Sequence, residues 1–148
     1  MRALIQRVSS ASVVIDGQEI SRIGTGLMIL LGAGSDDDEI TCAKLWNKVR
    51  KLRIFPDADG KTNLDLAAVG GSVLIVSQFT LFANCRRGNR PSFIEAADPE
   101  TGNRLYELFV SLAKKDVDVV QTGEFGASMD VTLTNSGPFT IWLDTDEF

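Results

Sequence analysis

Between Gly26 and Gly32 the chain carries Leu27-Met28-Ile29-Leu30-Leu31, five apolar residues in succession with no polar position among them. Successive side chains of a strand point to opposite faces, so a strand with one face in water alternates apolar and polar residues. This run does not alternate, and five residues are too few for a buried helix. It is predicted to be a fully buried strand, which requires a fold with apolar cover on both sides of its sheet. At 148 residues and 44% hydrophobic content, one domain spanning 1–148 has enough apolar surface for such a core.

The segments on either side fit that frame. Ser12-Val13-Val14-Ile15 and Glu19-Ile20-Ser21-Arg22-Ile23 flank Asp16-Gly17, a pair that favours a tight hairpin. Ser35, with Asp38 three residues on, resembles a capping box, and Asp36, Asp37, Asp38 and Glu39 lie where a helix dipole favours negative charge. Consecutive carboxylates there diverge rather than converge, so capping is the better reading than a metal site. The helix is predicted to run to about Leu52 with Ala43, Leu45, Trp46, Val49 and Leu52 inward, followed by a turn at 55–60 and irregular chain to Gly71. A strand is predicted over 72–82, interrupted by Ser77-Gln78, then a loop over 83–97 carrying Arg86, Arg87 and Arg90. Asp98-Pro99 supplies an N-cap and a first-turn proline for a helix to about Lys115, with Leu105, Leu108, Phe109 and Leu112 inward. Three more strands are expected at 117–122, 128–134 and 139–143. Many strands with two long helices out of regular alternation indicate an α+β fold, either a curved antiparallel or mixed sheet or a β-barrel, with both helices packed on it.

The chain has no histidine, which removes Ser-His-Asp and Cys-His mechanisms and every histidine metal site. Its two cysteines, Cys42 and Cys85, have neither zinc nor redox-pair spacing and read as free thiols. No signal-peptide pattern opens the chain, and no apolar run approaches the ~20 residues of a membrane span. A cytoplasmic protein without metal or organic cofactor, and without membrane association, is expected. The net charge of −5 confines nucleic-acid contact to local basic patches. Arg86, Arg87 and Arg90 form one candidate, and Lys48, Arg50, Lys51 and Arg53 a second.

Two segments conflict with a plain core. Ser77-Gln78-Phe79-Thr80 places a hydroxyl and an amide in an otherwise apolar strand, where they need partners, a strand end or a ligand. In Asn135-Ser136-Gly137-Pro138-Phe139-Thr140, glycine and proline expose carbonyls that a sheet would pair, at a bond where a cis peptide is cheap; a simple turn is the ordinary alternative.

These two segments, in this order and about 55 residues apart, resemble the signature pair of the D-aminoacyl-tRNA deacylases. The similarity extends to Met1-Arg2-Ala3-Leu4-Ile5-Gln6-Arg7-Val8, to the hairpin and to Arg90-Pro91-Ser92-Phe93, covering essentially the whole chain. Phe139 stands where the family motif carries valine. The resemblance implies a homodimeric proofreading hydrolase that cleaves the ester joining a D-amino acid, or glycine mischarged on tRNA-Ala, to the tRNA 3′ end. It places Ser77, Gln78, Phe79 and Thr80 around the ester, with main-chain N–H groups, notably that of Phe79, stabilising the oxyanion. Thr80 has been proposed in the family as a nucleophile, for which this chain has no histidine base; the alternative uses the tRNA 2′-hydroxyl to help activate water. Gly137 and Pro138 would enter the partner's active site, present carbonyls to the α-ammonium group and exclude an L side chain. Asn135, Phe139, Met129 and Phe93 are further candidates for substrate contact, and the arginines of the loop for tRNA. The rival function is a non-catalytic RNA-binding barrel, which the lack of aromatic and basic interleaving disfavours.

Overall fold

The computed structural model describes residues 1–148. β1 (Arg2–Ile15) is the longest-paired strand: its amino half pairs antiparallel with β3 (Gly26–Gly32), its carboxyl half with β2 (Gln18–Ile23), and nearly its whole length with β8 (Asp130–Asp144). β2 and β3 therefore lie end to end along one side of β1, with β8 on the other. β6 (Ser72–Ser77) continues the sheet parallel to β3, and β7 (Val120–Thr122) parallel to β6. The result is a strongly curved, six-stranded mixed sheet carrying two helices, α1 (Glu39–Val49) and α2 (Pro99–Asp116).

The unbroken apolar run is explained by cover on both faces. Leu27, Ile29 and Leu31 of β3, with Val73 and Ile75 of β6, face the larger core, where Cys42, Leu45, Trp46 and Val49 of α1 meet Leu105, Tyr106 and Phe109 of α2. Met28 of β3 and Leu74 and Val76 of β6 face a second core with Val8, Ala11, Val13 and Ile23, against which Met129, Val131 and Leu133 pack. The Asp16-Gly17 hairpin forms as expected, both residues at positive φ (51° and 78°).

Several boundaries differ from expectation. The cap of α1 is Asp38, whose carboxylate accepts from Thr41 N–H at 2.8 Å, so the helix starts one turn later than Ser35 implies. Asp37 instead accepts from Gly34 N–H at 2.6 Å and from the Met1 ammonium at 2.5 Å. α1 ends at Val49, not Leu52, and Cys42 rather than Ala43 completes its buried stripe. β4 (Phe55–Pro56) and β5 (Thr62–Leu64) make a small hairpin where only a turn and irregular chain were predicted. The strand predicted over 72–82 ends at Ser77, and Phe79–Phe82 form a 3₁₀ turn. The predicted strands at 128–134 and 139–143 are one strand, β8, with the Gly-Pro segment as an outward bulge within it. Pairing with β1 holds on both sides, Val8 with Asn135 and Gln6 with Thr140, so a single residue of β1 faces four of β8.

No helix is long and apolar enough to cross a membrane.

Candidate functional site

The end of β6 fixes the first signature segment. Ladder bonding continues one residue past the strand, where Gln78 N–H donates to Leu31 O at 2.7 Å, and the backbone then turns into the 3₁₀ turn. This close approach needs a glycine opposite: a Cβ on Gly32 would lie 2.9 Å from Gln78 O. Phe79 and Thr80 open the turn, and the first amides of a helical turn have no partner within it. Gln78 provides no side-chain cap; its amide instead donates to Thr80 Oγ1. Thr80 Oγ1 thus meets an amide donor, and no carboxylate, amine or imidazole bonds to it.

Ser77, Gln78 and Phe79 border a cavity of about 580 Å³. Leu31, Ala33 and Val76 form its floor, Pro99, Gly102 and Tyr106 of α2 one wall, and Phe125, Ala127 and Met129 another. Phe93, Ala96 and Ala97, from the base of the 83–97 loop, complete the rim. The Phe79 and Phe93 rings meet edge to face, centroids 5.1 Å apart, with Phe79 56% exposed at the mouth. Met129 is held by Glu124 N–H donating to its sulfur at 3.4 Å.

Only one lining side chain is ionisable, Tyr106. Burial pushes its phenol up to about 12, and it donates to Ile75 O at 2.9 Å, so it is neutral and already engaged at ordinary pH. The cavity offers main-chain dipoles, hydroxyl and amide groups and aromatic surface, and no side-chain acid or base near neutrality.

The second signature segment lies elsewhere. Gly137 and Pro138 are exposed at the tip of the β8 bulge, their peptide bond is cis, and neither lines the cavity of its own chain. Their neighbours fix them. Asn135 spans the base of the bulge, its carbonyl accepting from Phe139 N–H at 2.7 Å and its amide donating to Thr140 Oγ1 at 2.8 Å. Arg7, which the sequence alone did not single out, donates to Ser136 O at 3.0 Å and Ile54 O at 2.5 Å and lies 4.8 Å from the Phe139 ring centroid. Gly137 has φ +124°, and a Cβ there would lie 2.7 Å from Arg7 Nη2. Arg7 was legible only as an arginine inside an apolar strand, one residue before the Val8 that pairs with Asn135.

The expected site residues therefore form two groups. Ser77, Gln78, Phe79, Phe93 and Met129 surround one cavity, with Thr80 beside it; Asn135, Gly137, Pro138 and Phe139 form a separate projection. Arg86, Arg87 and Arg90 are exposed on the loop whose base forms the cavity rim, and none makes an ion pair.

Residues 4–144 match the family described as D-Tyr-tRNA(Tyr) deacylase. The chain is 50% identical to a D-aminoacyl-tRNA deacylase of Thermotoga petrophila, covering 99% of both chains, and 50% identical to one of Escherichia coli, covering 97% of this chain and 99% of the relative. Among solved structures it is similar to the c-Myc DNA unwinding element binding protein, with a TM-score of 0.93 and 36% identity over 97% of this chain and 98% of that one. A probable eukaryotic D-amino acid tRNA deacylase shares the fold, with a TM-score of 0.85 and 17% identity over 96% and 97% of the two chains.

Proposed function

Because the chain belongs to the D-aminoacyl-tRNA deacylase family, we propose that it is a hydrolase that frees D-amino acids, and glycine mischarged on tRNA-Ala, from the 3′ end of tRNA. The observation that carries this reading is the cavity beside Ser77-Gln78-Phe79, which has main-chain donors at its edge and no side-chain acid or base that works near neutrality. Such a site suits a substrate that is already labile and brings its own hydroxyl. An aminoacyl ester is both: positioning and oxyanion stabilisation supply the rate, with no nucleophile to activate.

In this mechanism the terminal adenosine and its ester occupy the cavity. Water, assisted by the 2′-hydroxyl, adds to the ester carbonyl; the Phe79 N–H receives the developing oxyanion; the tetrahedral intermediate collapses with cleavage of the bond to the 3′-oxygen, which takes up the proton released by the water. Ser77, Gln78 and Thr80 position the ester. The engagement of Thr80 Oγ1 by the Gln78 amide supports a positioning role over a nucleophilic one. Arg86, Arg87 and Arg90 hold phosphates near the 3′ end.

Chirality is read in a homodimer. Gly137 and Pro138 project from one protomer into the cavity of its partner, where their carbonyls receive the α-ammonium and their bulk leaves no space for an L side chain, an instance of specificity by exclusion. Their exposure, and their absence from the cavity of their own chain, support this arrangement. Asn135 and Phe139 act with them, and Met129 and Phe93 contact the substrate from the cavity side. The 148 residues act as one catalytic domain in the cytoplasm.

The mechanism is tested with D-tyrosyl-tRNA ending in adenosine or in 2′-deoxyadenosine. Rapid release of tyrosine from the first and a loss of about 10²-fold or more from the second is the expected result. Equal rates would remove the 2′-hydroxyl from the mechanism.

A further inference from the structure

α1 and α2 lie side by side and run in the same direction. Glu39 pairs with Arg104 near one end; Cys42 Sγ reaches Leu105 O at 3.5 Å; and Trp46 Nε1 donates to Asp116 Oδ2 at 2.9 Å near the other. The cavity lies at the amino end of α2, where Pro99 and Gly102 line it. The carboxyl end of α1 is basic: from Lys44 to Arg53 five of ten residues are Lys or Arg and none is acidic, in a chain of net charge −5.

Lys44, Lys48, Lys51 and Arg53 border one shallow, exposed depression of about 430 Å³, together with Asn47. Asp116, the acid that α2 presents there, is taken up by Trp46 and by Arg50 at 3.7 Å. Lys44 is taken up by main-chain oxygens at the end of the chain, donating to Phe148 O and to Thr145 O at 3.3 Å; Lys48, which lies over the Phe148 ring at 5.2 Å, and Lys51 have no carboxylate partner. Like charges one turn apart on a helix repel. Lys48 and Lys51, left without a neutralising partner, are open to an anion from outside the chain.

We propose that this end of α1 binds the phosphate backbone of the tRNA whose aminoacylated end occupies the cavity. The identity of the nucleic acid rests on the deacylase reading; the phosphate chemistry rests on the cluster itself. From Gly102 to Asp116 the parallel helix spans about 21 Å at ~1.5 Å per residue. The cluster therefore meets backbone well away from the reacting ester, and it adds affinity without reading sequence.

The test is direct binding of an uncharged tRNA transcript to the wild-type protein and to Lys48→Ala/Lys51→Ala, across a range of salt concentrations. Neither residue belongs to the catalytic machinery, so the double variant should hydrolyse a D-aminoacyl-adenosine fragment at the wild-type rate, which also verifies its fold. Expected is roughly tenfold weaker tRNA binding near 0.1 M salt, with the slope of log affinity against log salt shallower by about 2. Lys48→Arg/Lys51→Arg should bind as wild type. Equal affinity and equal slope for the alanine variant and wild type would overturn the proposal. Failure of the wild-type protein to hydrolyse any D ester would overturn the deacylase reading instead, because transcript binding is read without hydrolysis.

Discussion

At Gly137 an added methyl group conflicts with both the backbone angle and a neighbouring side chain. Its φ of +124° disfavours any side chain, and the Cβ would press on Arg7 Nη2 at 2.7 Å. Gly137→Ala is expected to cost on the order of 1–3 kcal/mol in local strain and, by shifting the bulge, about 10²-fold in kcat/KM on a D ester; thermal melting and steady-state kinetics together check this. Arg7→Ala, which removes two hydrogen bonds to carbonyls and the contact with Phe139, should loosen the same element and raise the rate on L esters relative to D. Thr80 gives the opposite expectation. If it only positions the ester, Thr80→Ala retains kcat within about tenfold, whereas loss of a true nucleophile would cost ~10⁴-fold or more. Much of this scale was hidden in the sequence. The Gly-Pro pair is visible as a motif, but the role of Arg7 depends on strand register, which places it under a bulge formed 129 residues later.

At the scale of elements, what repeats with a clear period was legible and what ends an element was less so. The β3 strand and both helices followed from apolar pattern and capping, and Asp98 caps α2 as expected, accepting from Glu100 and Thr101 N–H, each at 3.0 Å. Asp98→Ala should cost about 1 kcal/mol in a denaturation experiment, and because the first turn of α2 forms a cavity wall, KM should rise with it. The α1 start was misplaced because Ser35 and the aspartates after it offer several caps, and tertiary contacts decide among them: the Met1 ammonium and Gly34 N–H take Asp37, leaving Asp38 to cap. β8 was split in two because glycine and proline ordinarily end strands; β1 keeps the pairing on both sides of them, which one sequence segment read alone does not show.

For the whole molecule, the two cores and the curved sheet bring distant segments to one cavity but leave the Gly-Pro bulge outside it. The family resemblance implies that the bulge serves a partner's cavity; the fold places it, exposed, outside the cavity of its own chain, which is the physical reason to seek a second subunit. The same burial sets an alkaline limit on stability. Cys42 and Tyr106 are both pushed up to about 12, chiefly by desolvation, from ordinary values of 9.0 and 10.0. Groups whose folded pKa is raised stabilise the fold below their unfolded pKa and lose that contribution as pH rises toward the folded one. The thermal midpoint should therefore fall progressively between about pH 9 and pH 12, and Tyr106→Phe should flatten the upper part of that decline; a midpoint unchanged across the range would contradict the buried, neutral state of both groups.

Chiral selection by a site without a side-chain acid or base is tested most directly by following deacylation of matched D- and L-tyrosyl-tRNA by wild-type protein and Pro138→Ala. Rapid loss of the D ester with the L ester spared is the expected result, together with a variant that is inactive or less selective. Equal slow decay of both esters at the rate of the protein-free control would contradict it and leave an RNA-binding barrel as the better reading; a variant matching wild type on both enantiomers would remove the Gly-Pro element from the mechanism.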